Sequence, residues 1–248
     1  MSGFAKPRLA RVHDVLARHT ERGEIPGAVA LIARGGETHV AVAGECRRDT
    51  IFRISSMTKP VTAVAAMICV EECALRLDDP VDALLPELAA RRVRETTLFD
   101  APNGQWSSPP AFPSGGGGLL ATIDDYAAFA AMLLADGAYG GQRILSRPAV
   151  SLMTADHLTP AQKAVSGLLP GDFDDTGWGF GVSVVTRRTG LAKSVGSYGW
   201  DGGLGTSWFN DPAEGLTAIL MTQRMWTLPR PGAIFRDFWT SAYQAIDD

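Results

Sequence analysis

The feature that most constrains the fold is the placement of strand-like runs at both ends of the chain, with a helical middle between them. GAVALIAR (27–34) is rich in small and β-branched residues, Arg34-Gly35-Gly36 supplies a turn, and THVAVAG alternates back out, which predicts a hairpin over 27–42. From Trp178 onward WGFGVSVVT, LAKSVGSYGW, LGTSWFN and GLTAILMT all read as strands. No regular alternation of strand and helix separates these runs, which points to an antiparallel rather than a parallel sheet. The expected class is α+β, an antiparallel β-sheet built from both ends of the chain and flanked by helices. At 248 residues, 46% hydrophobic and 20% charged, the chain has the apolar content for one real core, and residues 1–248 are read as a single domain.

The helices announce themselves by period and by caps. Leu9, Val12 and Leu16 recur at helical spacing. VTAVAAMICVEECAL, within 57–75, is apolar almost all round and predicts a buried helix that ends at Asp78-Asp79-Pro80. Thr122 with Asp125 has the form of a capping box leading into YAAFAAMLLADG, and Ser146-Arg147-Pro148 opens another helix. A last helix is expected over 235–246. Between them, APNGQWSSPPAFPSGGGG (101–118) can sustain neither helix nor strand and must cross the surface or line a cleft as loop.

Several function classes are disfavoured. The formal charge is -4 and the basic residues are scattered, with Arg47-Arg48, Arg91-Arg92 and Arg187-Arg188 read as solvated pairs, so no nucleic-acid partner is expected. The first twenty residues hold no apolar run of signal-peptide length, and no segment approaches the roughly 18 apolar residues of a membrane span. A soluble, cytoplasmic protein without a membrane partner is the expectation. Cys46, Cys69 and Cys73 are odd in number and lack C-x-x-C spacing, which argues against a disulfide framework and a structural zinc site, and Cys69 and Cys73, on one helix face, read as small core residues. His13, His19, His39 and His157 show no H-x-x-x-H spacing, so no metal is expected. Dinucleotide and P-loop fingerprints are absent, and the glycine run 115–118 lacks a GK[ST] ending. No cofactor is expected.

RISSMTKP (53–60) carries the chemistry. With fourteen serines and four lysines, an S-x-x-K match arises by chance about 0.2 times in a chain of this composition. Pro60 is tolerated only near a helix start, which puts Ser56 where free backbone N–H groups and the helix dipole favour developing negative charge. Lys59 shares its helix face, and a lysine held near an apolar helix can lose its proton readily enough to take one from a serine. The plainer reading is an N-capping serine beside a surface lysine. GWDGGLGTSW (199–208) likewise admits two readings: an ordinary bulged hairpin, or a glycine turn that presents a backbone N–H to an oxyanion.

Taken together, RRDTIFRISSMTKPVTAVAAM, LDDPVDALLPEL, FPSGGGGLLATIDDYAAFAAMLL and GWDGGLGTSWFNDPAEGLTAILMTQ resemble, in order and in detail, the serine β-lactamase and penicillin-binding-protein superfamily. The resemblance is specifically to its class C-like esterases, the family VIII carboxylesterases. It implies that Ser56 is the acylated nucleophile and Lys59 its proton partner. It implies that Trp200-Asp201-Gly202 stands in place of the superfamily's K-T-G strand, with Trp200, Gly202 and Gly203 binding substrate and the N–H groups of Ser56 and Gly203 forming an oxyanion hole. The implied substrate is a small ester or β-lactam. Two departures matter. None of Tyr126, Tyr139, Tyr198 or Tyr243 is followed by x-Asn, as the family's catalytic tyrosine is. LLPELAARRV also runs into TLFDAPNGQW with the family's helical lobe truncated, a deletion whose junction falls near 92–97. Tyr198 shares a strand face with Trp200 and is the candidate substitute in the proton network; its plainer role is packing. The function implied is ester hydrolysis through an acyl-enzyme, with weak β-lactam hydrolysis. The alternative is an impaired remnant that acylates without turnover. A cleft stripped of its cover would expose apolar surface and favour a homo-oligomer.

Overall fold

The computed structural model describes residues 3–78, 114–167, 171–226 and 232–247. Its sheet joins the two ends of the chain, as the strand pattern predicts. The elements are β1 (Gly27–Arg34), β2 (Glu37–Gly44), β7 (Thr176–Trp178), β8 (Ser183–Val185), β9 (Tyr198–Gly202), β10 (Thr206–Asp211) and β11 (Leu216–Thr222). They form one sheet in the order β2-β1-β11-β10-β9-β8-β7. Each neighbouring pair is antiparallel, and β1 meets β11 in a register running from Ala28↔Thr222 to Arg34↔Leu216. The β1–β2 turn works because Gly35 and Gly36 adopt φ of 57° and 84°, the left-handed pair that a tight hairpin needs.

Both faces of this sheet are covered, which explains why β1, β10 and β11 are apolar with little alternation. On the back face, α1 (Lys6–Glu21) and α6 (Ala233–Gln244) bury Leu9, Val12, Leu16, Phe238 and Ala242 against Ala30, Ile32, Phe209 and Leu220. Each large side chain buried there contributes about 1.5–3 kcal/mol. On the front face, α2 (Thr58–Glu71), α3 (Ile123–Leu134) and α4 (Arg147–Met153) pack Met57, Val64, Tyr126 and Val150 against Val29, Leu31, Trp208 and Ile219. Trp208 is fully buried and meets Tyr126, Phe129 and Tyr198 edge-on, with ring centroids 5.4, 5.8 and 6.1 Å away. A short helix, α5 (Pro160–Val165), and two small ribbons, β3 (Phe52–Arg53) with β4 (Leu120–Ala121) and β5 (Ala138–Tyr139) with β6 (Gln142–Arg143), complete the described elements.

Several sequence expectations need correction. Residues 191–197, read as the start of a strand, form a loop, because Lys193 (φ 63°) and Gly196 (φ 90°) are left-handed and pairing begins only at Tyr198. WGFGVSVVT is split by Gly181 (φ 78°) into the end of β7 and β8. The helix after Ser56 stops at Glu71: Cys73 takes φ 58°, and Cys73 N donates to Val70 O (3.0 Å) and Ala74 N to Cys69 O (2.9 Å), an αL stop. That helix is not buried all round, since Thr62, Ala65 and Ala66 are exposed. Of the two cysteines read as core, Cys69 is only partly buried and Cys73 is exposed because it lies past the helix end, while Cys46 is buried. The expected junction near 92–97 lies outside the described residues.

The Thr122 cap is as read: its Oγ1 accepts from Asp125 N at 3.3 Å, and Asp125 Oδ2 accepts from Thr122 N at 3.0 Å. Thr122→Ala should cost about 1 kcal/mol and lower Tm by about 2–4 °C. A thermal melt followed by circular dichroism checks this. No helix among the described residues is long and apolar enough to cross a membrane.

Candidate active site

Local pairing fixes Ser56 before any catalytic argument is made. The β3–β4 ribbon leads into Ile54, whose N–H donates to Leu119 O at 3.2 Å. Ile54 O accepts from Met57 N at 3.0 Å and from Thr206 Oγ1 at 3.2 Å, which ties the turn to β10. Ser55 through Met57 form one 3₁₀ turn, and α2 starts at Thr58, so Ser56 lies just before the helix rather than within it. Met57 is fully buried and its carbonyl accepts from Tyr126 OH at 2.9 Å, so α3 also holds the turn. Ser55 has φ 47°, a left-handed conformation costing a non-glycine residue about 1–3 kcal/mol. The packing on both sides of the turn sustains that strain.

Ser56 and Lys59 come together. Lys59 Nζ donates to Ser56 Oγ at 2.8 Å and to Gly116 O at 2.8 Å. Burial lowers the Lys59 pKa from the ordinary lysine value, because the charged form loses solvation there. The bland alternative, a lysine in free solvent, does not describe this geometry.

The glycine run lines the candidate site, one of the two places its reading as loop allowed, but its contact with Lys59 was not foreseen. Thr62 Oγ1 donates to Gly115 O at 2.7 Å, so residues 115–116 lie along the first turn of α2 and deliver the Gly116 carbonyl to Lys59. Gly118 must be small: a Cβ there would lie 2.8 Å from Ser114 O. The available signal was four consecutive small residues at the end of a long loop.

The WDG strand is positioned beside the serine turn. A Cβ on Gly202 would lie 2.4 Å from Ile54 O and 2.2 Å from Thr206 Oγ1, so only glycine allows β9 this close to the backbone before Ser56. Gly203 follows at the strand end, where a Cβ would meet nothing within 4 Å. Trp200 is half-buried and packs edge-on against Trp178 with centroids 4.4 Å apart, a partner the sequence reading did not single out. Asp201 alternates to the other face, opposite Ser207, away from Ser56.

Tyr198 is not brought to the pair. It shares the strand face of Trp200, but its hydroxyl accepts from Asn210 Nδ2 at 3.2 Å within the core, and burial pushes its pKa far above the usual phenol range. Asn210 is satisfied on every side there: Nδ2 also donates to Ala130 O (2.8 Å), and Oδ1 accepts from Trp208 Nε1 (3.1 Å) and Thr217 Oγ1 (2.8 Å). The remaining tyrosines are elsewhere. Tyr126 OH donates to Met57 O, Tyr243 OH donates to Asp211 Oδ2 at 2.7 Å, and Tyr139 is exposed on the β5–β6 ribbon. Among the described residues, no group of three or more His, Cys, Asp or Glu side chains is arranged to hold a metal ion.

The chain is similar to known proteins in sequence and in fold. The sequence profile of the family described as Beta-lactamase matches residues 12–101 and 92–235. The chain belongs to the β-lactamase family. Protein Rv1367c of Mycobacterium tuberculosis is 40% identical over 124 residues, 47% of this β-lactamase-family chain and 30% of that protein. Esterase EstB of Burkholderia gladioli is 36% identical over 91 residues, 33% of this chain and 23% of the esterase. These matches thus span less than a third of either curated relative. The solved structure of EstCE1, described as a hydrolase with promiscuous acyltransferase activity, superposes with a TM-score of 0.73 at 19% identity. That superposition covers 96% of this chain and 99% of EstCE1 and establishes the shared fold.

Proposed function

We propose that this β-lactamase-family chain is a serine hydrolase that cleaves small carboxylic esters through an acyl-enzyme on Ser56. The observation that carries the reading is the 2.8 Å contact between Lys59 Nζ and Ser56 Oγ, made by a lysine whose charged form burial disfavours. Lys59 as neutral amine takes the Ser56 proton as Oγ attacks the ester carbonyl. The carbonyl oxygen then carries negative charge, for which the backbone N–H groups of Ser56 and Gly203 are the proposed donors. The tetrahedral species collapses with loss of the alcohol, which takes the proton, and leaves the acyl group on Ser56. Water attack returns serine and releases the acid. That EstB is described as an esterase and EstCE1 as a hydrolase with promiscuous acyltransferase activity supports this reading, and weak β-lactam opening would proceed by the same first step.

A specific observation favours slow turnover. All four tyrosines of the chain are described, and each hydroxyl is engaged or placed away from the Ser56–Lys59 pair. Loss of one member of such a proton network costs about 10²–10⁴ in rate. Activated esters should suffer least. We expect slow hydrolysis of p-nitrophenyl acetate or butyrate and no appreciable turnover of alkyl esters or cephalosporins. Efficient cleavage of an unactivated ester, at about 10⁴ M⁻¹s⁻¹ or above, would refute the impaired reading.

The pH profile should report Lys59. Its neutral form is the reactive one, so the rate rises as pH rises through its pKa, and a lowered pKa moves that rise to lower pH. The acid limb of kcat/KM for p-nitrophenyl acetate should therefore lie below the ordinary lysine range. A limb at the ordinary lysine position would argue against Lys59 as base.

A further inference from the structure

The back face of the sheet carries a cavity that the Ser56 chemistry does not use. About 670 Å³ lies between α6, the loop from β8 to β9 and the strands β9 and β10, within the size range of small-molecule sites. Strand alternation turns Asp201 and Phe209, which line it, away from Trp200 and Trp208 and so away from Ser56. Phe235 and Trp239, from one face of α6, give it an aromatic wall.

Its distinctive group is Lys193. The Nζ atom lies 3.3 Å from the centroid of Phe209 and 4.5 Å from that of Trp239, and no hydrogen bond or ion pair reaches it among the described residues. Asp201 and Asp175, also on the lining, act on it through space; Lys193 and Asp201 are both partly buried, and that lowers the Lys193 pKa from the ordinary lysine value and raises that of Asp201. Its placement is enforced: Lys193 holds a left-handed backbone (φ 63°), and the next N–H, that of Ser194, donates to Asp211 Oδ2 at 2.9 Å. Asp211 is buried and is itself fixed by Tyr243 OH at 2.7 Å. A strained residue held by buried anchors points to a positioned side chain. Two further cations, Arg187 and Arg236, stand exposed at the rim.

We propose that this cavity binds an organic monocarboxylate with an aromatic or branched apolar body, the carboxylate at Lys193 and the body against Phe235 and Trp239. The lining sets three cations, Lys193, Arg187 and Arg236, against two carboxylates, Asp175 and Asp201, and burial disfavours the charged form of Asp201, so the balance favours an anion. A neutral ligand would leave the Lys193 ammonium with only the Phe209 and Trp239 rings in contact with it and no hydrogen-bond acceptor among the described residues. The proposal does not depend on Ser56 being a nucleophile.

The test is calorimetric titration of the full chain with 4-phenylbutyrate and with its neutral counterpart 4-phenylbutan-1-ol. The acid should bind about tenfold or more tightly than the alcohol, as one charge-assisted hydrogen bond allows. Lys193→Gln should remove that preference, Arg236→Gln should weaken the acid about two- to threefold, and Ser56→Ala and Lys59→Ala should bind as the parent does. Arg236 is exposed, so its variant keeps the test alive if Lys193→Gln fails to fold. Equal binding of acid and alcohol, absence of binding at millimolar concentration, or loss of binding in Lys59→Ala with Lys193→Gln unaffected would each overturn the proposal. The last outcome would place the acid in the Ser56 cleft.

Discussion

Replacing Lys59 by alanine should slow acylation of Ser56 by about 10²–10⁴-fold, the range for loss of a positioned proton acceptor, while the chain stays folded. The size of the effect follows from the contacts. Lys59 Nζ has two partners, Ser56 Oγ and Gly116 O, each at 2.8 Å, and only the first bears on the chemistry. Without the amine, the serine proton has no acceptor in contact with it among the described residues. The fold should tolerate the change because α2 is held by Pro60, Val64 and Met67, which lie on its buried face, and by the Met57 anchor. The burst of p-nitrophenolate on mixing with p-nitrophenyl butyrate reads the acylation rate, and circular dichroism reads the fold. A burst at the parent rate would make Lys59 a bystander.

The second large effect should come from a single methyl group. Gly202→Ala places a Cβ 2.4 Å from Ile54 O and 2.2 Å from Thr206 Oγ1. The threonine hydroxyl can rotate, but the Ile54 carbonyl cannot retreat without moving Ser55 and Ser56. We expect a stability loss of about 1–3 kcal/mol, as overpacking typically costs, and a fall in acylation rate of about 10²-fold from misplacement of the nucleophile. Gly203→Ala is the matching control for stability, because a Cβ there meets nothing within 4 Å. It should change stability by no more than about 0.5 kcal/mol. Urea midpoints for both variants, with the same burst assay, separate the steric effect from the catalytic one. Equal stability of the two variants would contradict the close approach of β9 to the serine turn.

What could be read from the sequence was what local chemistry dictates. The Gly35-Gly36 hairpin, the Thr122 capping box, the helix starting at Ser146 and the Ser56–Lys59 spacing all depend on residues a few positions apart, and each is present. The sheet joining both ends followed from the absence of strand–helix alternation. Features set by tertiary contact were not legible. Tyr198 was correctly placed on the face of Trp200, yet its cross-strand partner Asn210 captures the hydroxyl, and nothing near position 198 announces that pairing. Lys193 looked like a strand residue because its neighbours are apolar; its left-handed backbone is held by Asp211 on β10. Trp178 and the 114–118 loop reach the site through contacts spanning many residues, which no spacing rule encodes.

The proposed acyl-enzyme chemistry requires that Ser56 accept the acyl group. Its most direct measurement is intact-mass analysis after incubation with a fluorophosphonate or with p-nitrophenyl butyrate, followed by peptide mapping of the adduct. One adduct per chain is expected, carried on the peptide that contains Ser56 and absent from Ser56→Ala. Labelling that persists unchanged in Ser56→Ala, or that maps to any other residue, would contradict it.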